Sequence, residues 1–149
     1  MSMTGFRIGR DDSEYLSVQI TSHSHPGSQD YWDGNWVNAE IEIDVGSFSG
    51  RYDAYLRVEE LKDFRDALAR LYSFDSNEAK FETMEEQLSI SIKGNGLGHF
   101  MAECEALDQA GIGNRLLFSL EFDQTEIPEM LKGLDTVVQE FPVKGKPEI

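Results

Sequence analysis

From Val37 to Val45 the chain alternates without a break: Val37, Ala39, Ile41, Ile43 and Val45 are apolar, while Asn38, Glu40, Glu42 and Asp44 are polar. Successive side chains of a strand point to opposite faces, so this segment requires a sheet with one face on a core and the other in water. Gly46-Ser47 follow, and Phe48 to Arg57 resume the pattern with Phe48, Tyr52, Ala54 and Leu56 on one side, which predicts a hairpin. The period then changes from 2 to 3.6. Leu61, Phe64, Leu68 and Leu71 recur at helical spacing and predict a helix over about 58–73, with Glu59 and Glu60 at its positive end.

Upstream, Glu14 to Ser22 reads as a strand through Tyr15, Leu16, Val18 and Ile20, and Phe6 to Ile8 suits a shorter one. His23 to Gly34, with Pro26 and Gly27, reads as a connecting loop, residues 23–34. Downstream, strands are expected at Ala79–Met84, Gln87–Lys93, Gly98–Leu107 and Arg115–Phe122, with turns at Glu85-Glu86, at Gly94-Asn95-Gly96 and at Ala110 to Asn114. A second helix over about 125–141 is announced by Asp123 and Glu126 at capping-box spacing, with Thr125 as the rival cap and Pro128 in the first turn. Its expected core stripe is Ile127, Leu131, Leu134, Val138 and Phe141, and Gly133 marks a point of close packing. Pro142 stops it, and 143–149 reads as a loose tail. The expectation is one α+β domain over residues 1–149, an antiparallel sheet of about seven strands with both helices on one face.

With 28 Asp and Glu against 13 Lys and Arg, the formal charge is −15, and such a surface repels nucleic acid phosphates. No apolar run reaches the length of a membrane span and no signal-peptide stretch opens the chain, so a cytoplasmic protein is expected. Cys104 is alone, which excludes an internal disulfide. The local patterns that resemble chemistry have simpler readings. Gly94 to Gly98 continues into a strand rather than a helix, so it reads as a hairpin turn and not as a phosphate loop. His23 and His25 could clasp a metal with Asp30 or Asp33, but no third ligand is in hand, and a loop-borne pair is the simpler reading. Cys104 and His99 fall on opposite faces of one strand, which separates a nucleophile from its base. Carboxylate pairs such as Glu103 and Glu105 are expected by chance among 28 acids. No catalytic residue, cofactor or metal is assigned, and an enzyme is not expected.

The wet face of the first hairpin is the distinctive feature. Glu40, Glu42 and Asp44 put like charges in one row, which destabilises a sheet unless cations on the neighbouring strand answer them, and Arg51 and Arg57 are the candidates. Tyr31, Trp32 and Trp36 bracket the start of the same strand. The plain reading is a solvated sheet face with Trp36 as a core plug. The sharper one is a docking surface for a basic partner, made by Tyr31, Trp32, Trp36, Glu40, Glu42 and Asp44.

Asp33-Gly34-Asn35-Trp36 before the acidic strand, Gly46-Ser47-Phe48-Ser49-Gly50 at the hairpin, the helix from Val58 to Tyr72, and Leu120-Glu121-Phe122-Asp123-Gln124-Thr125 before the last helix together resemble the small bacterial WapI-type immunity proteins and their uncharacterised relatives. The likeness runs from about Trp32 to Phe141 and rests mainly on fold-making features. It implies a cytosolic protein that binds and silences the toxin domain of a contact-dependent or polymorphic toxin, and it brings no catalytic residue; with the acidic charge, occlusion of a basic nuclease face is the expected mechanism. Two other classes stay open at the level of sequence. One is a small-molecule enzyme or ligand-binding module with His99 or an acidic pair as base; the other is a homo-oligomeric structural protein joined through sheet edges.

Overall fold

The computed structural model describes residues 3–10 and 12–147. Strands β1 (Gly5–Gly9), β2 (Tyr15–His23), β3 (Trp36–Val45) and β4 (Phe48–Arg57) form one antiparallel sheet in that order, with a four-residue helix α1 (Tyr31–Gly34) between β2 and β3. Helix α2 (Val58–Tyr72) leads into a second antiparallel sheet, β5 (Glu78–Phe81), β6 (Leu88–Gly94), β7 (His99–Leu107) and β8 (Arg115–Asp123). A 3-10 turn at Gln124–Glu126 opens helix α3 (Ile127–Glu140).

The fold is α+β, as expected, and the described residues form eight strands divided between two sheets where about seven strands in one are predicted. Pattern alone does not count sheets, because a strand reports which of its faces is buried and not which neighbour covers it. Here the buried faces of both sheets share one core with the helices. The arrangement repeats four strands and a helix twice: α2 packs against β5 and α3 packs back against β1. Each helix thereby shields the first strand of a sheet.

The hairpin of β3 and β4 keeps a perfect register from Trp36 opposite Arg57 to Val45 opposite Phe48. Val37, Ala39, Ile41, Ile43 and Val45 all face the core. Phe48 shares their face but projects beyond the core at the hairpin end, 63% exposed. Helix α2 buries all four residues of its predicted stripe, Leu61, Phe64, Leu68 and Leu71. In α3 the buried stripe is rotated: Ile127, Met130, Gly133, Leu134 and Val137 are inside, whereas Leu131 and Val138 are only half-buried. Gly133 causes the rotation. It faces the Gly5 carbonyl so closely that a Cβ would run into that oxygen, which draws this side of the helix onto β1. The capping box of Asp123 and Glu126 is present, Glu126 Oε2 accepting the Asp123 N–H at 3.0 Å.

Gln87 stitches the sheets together. The Tyr52 hydroxyl donates to its backbone carbonyl at 2.6 Å, the Tyr55 N–H donates to its Oε1 at 3.1 Å, and its Nε2 donates to the Asp53 carbonyl at 3.2 Å.

Candidate functional site

Period-2 alternation places Trp36, Asn38, Glu40, Glu42 and Asp44 on the outer face of β3, opposite Arg57, Tyr55, Asp53, Arg51 and Ser49 of β4. The six residues singled out in the sequence are therefore brought to one face, Tyr31 and Trp32 arriving from α1 at the Trp36 end. Helix α1 starts where the Asp30 carboxylate accepts the Trp32 and Asp33 N–H groups at 3.2 and 3.1 Å. The segment expected to be only a connecting loop, 23–34, thus ends in a capped turn.

Two arginines do different work, which corrects the expectation that both answer the acidic row. Arg51 lies between Glu40 at 3.7 Å and Glu42 at 3.1 Å, and these carboxylates raise its pKa, the Glu42 hydrogen bond first. Arg57 leaves the row and is only 2% exposed. Its guanidinium lies 5.2, 5.2 and 5.0 Å from the ring centres of Tyr31, Trp32 and Trp36. Its NH1 donates to Trp32 O at 2.7 Å, its NH2 to Tyr31 O at 2.8 Å and its Nε to Glu59 at 2.9 Å. The planar fork of arginine suits this task, presenting donors at its rim and a weakly hydrated face to the rings. Trp36 is thus neither a core plug nor a free surface ring. It is half-buried over a cation, while Trp32 remains 50% exposed. Arg57 and Glu59 were missed as site residues, and the only signal for them was their place at the strand-to-helix junction.

The other end of the face is acidic. Glu40 stands directly opposite Asp53, so two carboxylates share a cross-strand pair. Glu40, Glu42, Asp44 and Asp53 have Arg51 alone among them as a cation on this pair of strands. Tyr15 pairs with Asp44 on the same face, and its phenol pKa is raised, by burial first and then by the Glu42 and Asp44 carboxylates.

The remaining sequence candidates do not assemble. Gly94 to Gly98 is a hairpin turn in which Asn95 Oδ1 accepts the Leu97 and His99 N–H groups. Cys104 is buried with its thiol pKa pushed up to about 12 by desolvation, an unreactive environment. His99 faces the opposite side, 3.9 Å from Glu121, at the rim of a groove of about 710 Å³ between the β1–β2 turn and β8. Among the described residues no group of three or more His, Cys, Asp or Glu is placed to hold a metal.

His23 and His25 part company: His25 is exposed, whereas the His23 ring lies 4.8 Å from that of Phe141 with Nε2 buried and without a hydrogen-bond partner. Burial, and then Lys144, lower the His23 pKa below its ordinary 6.5. Between the folded value and 6.5 the unfolded chain holds more protons than the folded one, so the stability present above that window is lost as pH falls through it. Thermal midpoints measured from about pH 7 to about pH 5 are expected to fall more steeply for the native chain than for His23→Gln. Equal slopes would assign the acid sensitivity to another group.

Among solved structures, the chain is similar to one in the Trypanosoma bruciei MRP1/MRP2 crystal structures, with a TM-score of 0.50 and 12% identity over 90% of this chain and 81% of that one. It is also similar to a chain in the structure of a guide-RNA-binding protein complex bound to a guide RNA, with a TM-score of 0.48 and 12% identity over 85% and 79%. At 12% identity the first of these likenesses concerns the fold alone. No curated protein matches the sequence. The family model of the immunity protein WapI-like family matches residues 7–142.

Proposed function

We propose, for a chain that belongs to the immunity protein WapI-like family, that the outer face of the first sheet docks on a basic toxin domain and silences it by occlusion. The observation that carries this reading is the excess of carboxylates on the β3–β4 face, where Glu40, Glu42, Asp44 and Asp53 share one cation, Arg51, on these strands. Like charges directly opposite each other weaken a sheet, and Glu40 faces Asp53 with Arg51 as the only cation beside them on these two strands. A row that weakens the free protein gains its use when a partner supplies the missing cations. A field of this sign accelerates encounter with a basic protein and disfavours phosphate backbones. Trp32, half in solvent beside the acidic row, supplies an aromatic anchor of the kind that concentrates binding energy. On this reading the protein works in the cytoplasm as a stoichiometric binder without catalysis, and a nuclease with a basic substrate face is the best-matched toxin.

The test uses any toxin domain encoded beside this gene. The native chain is expected to protect cells producing that domain and to bind it with an association rate that falls as salt rises. Asp53→Lys, which places a cation opposite Glu40, is expected to stabilise the free protein by about 0.2–1 kcal/mol while slowing association about tenfold at low salt. A native chain that neither binds the domain nor protects would overturn the reading, as would a binding rate indifferent to Asp53→Lys.

A further inference from the structure

The aromatic end of the docking face is held by chain from the far end of the sequence. Asn35 is 0% exposed, and both its amide donors and its side-chain oxygen have backbone partners. Its Nδ2 donates to Tyr31 O at 2.8 Å and to Lys144 O at 2.9 Å, while its Oδ1 accepts the Lys144 N–H at 2.8 Å. The Lys144 ammonium reaches back to the Ser28 carbonyl at 3.0 Å. Gly145, at φ +63°, lies so close to Tyr31 that a Cβ there would stand 3.0 Å from the Tyr31 nitrogen. The family match ends at residue 142, so these contacts come from chain outside it.

A helix of four residues has no stability of its own. Helix α1 depends on the Asp30 cap, on Arg57 beneath it, and on this crossing segment. We propose that residues 142–147 form a strap that positions the aromatic end of the docking face, with Asn35 as its positioning residue. The functional half of this proposal rests on the docking role given to that face above. With the strap removed, Asn35 keeps Tyr31 O but loses both partners on Lys144, leaving a donor and an acceptor to be satisfied by water that must enter beneath Tyr31. The rings then sample more orientations, and a partner has to order them on binding.

Both tryptophans of the chain, Trp32 and Trp36, belong to this cluster, so intrinsic tryptophan emission reports on it alone. A chain ending at Pro142 and the full chain carrying Gly145→Val both alter the strap and leave the two sheets and helices α2 and α3 untouched. Acrylamide quenching of tryptophan emission is expected to rise in both variants, with amide protection in β3 and β7 unchanged. A synthetic peptide of residues 143–149 is expected to reverse the rise in the shortened chain. Affinity for the toxin domain is expected to fall about tenfold in both. Quenching unchanged from the native chain in both variants would overturn the strap. Quenching that rises while toxin affinity holds would leave the strap standing and overturn the docking role of this face.

Discussion

Arg57→Ala is expected to destabilise the protein by about 3–5 kcal/mol, the range found when one partner of a buried, hydrogen-bonded ion pair is removed. The side chain is 2% exposed and ties together the carbonyls of Tyr31 and Trp32, the Glu59 carboxylate at the start of α2, and three aromatic rings. Alanine leaves the Trp32 carbonyl and the Glu59 carboxylate without this donor, the Tyr31 carbonyl with Asn35 Nδ2 alone, and the rings over a void, and each unsatisfied group costs about 1–3 kcal/mol. Arg57→Lys keeps the charge but has a single donating centre in place of a fork, so it is expected to retain part of the stability and lose the fixed ring geometry. Urea unfolding gives the stability, and tryptophan emission gives the geometry. The red shift expected for Arg57→Ala in native conditions separates a loosened cluster from a merely less stable fold. A loss below about 1 kcal/mol with unchanged emission would show that the rings hold their positions without the cation.

Phe64→Ala is expected to cost a further large amount, about 3–5 kcal/mol, by leaving a cavity that rigid neighbours cannot close. Phe64 of α2 lies 5.0 Å from the Phe6 ring of β1 and 5.2 Å from the Phe81 ring of β5, and Phe6 and Phe81 are themselves 5.7 Å apart. Each of the three is at most 1% exposed. This trio joins the first strand of each sheet through a helix, so the substitution weakens both sheets at once. Unfolding followed by tryptophan emission, which sees the first sheet, and by amide exchange in β7, which sees the second, is expected to remain one transition shifted to lower denaturant. Two separated transitions would show the sheets to be independent folding units, contrary to a single domain over residues 1–149.

Much of the architecture was legible because it rests on local chemistry. The alternation of β3 and β4, the stripe of α2 and the Asp123 to Glu126 cap each depend on residues a few positions apart, and each is present in the structure. The face of α3 was read less well, since Leu131 and Met130 are equally apolar and only the approach of Gly133 to Gly5 decides between them. The candidate site was legible in part for the same reason. Trp36, Glu40, Glu42 and Asp44 share a face by parity along one strand. Arg57 has that parity too, yet its removal from the acidic row to the aromatic cluster depends on α1, whose four residues carried no helical period to detect.

The sequence by itself determined the kinds of element, the buried face of the central hairpin and the charge of its wet face, because periodicity and composition act over short range. The tertiary structure alone decided that the strands divide into two sheets sharing a core, that Arg57 sits beneath three rings, and that Lys144 meets Asn35. Those outcomes join residues up to 109 positions apart, and what selects them is the cost of leaving a buried donor, acceptor or charge without a partner once the core has closed.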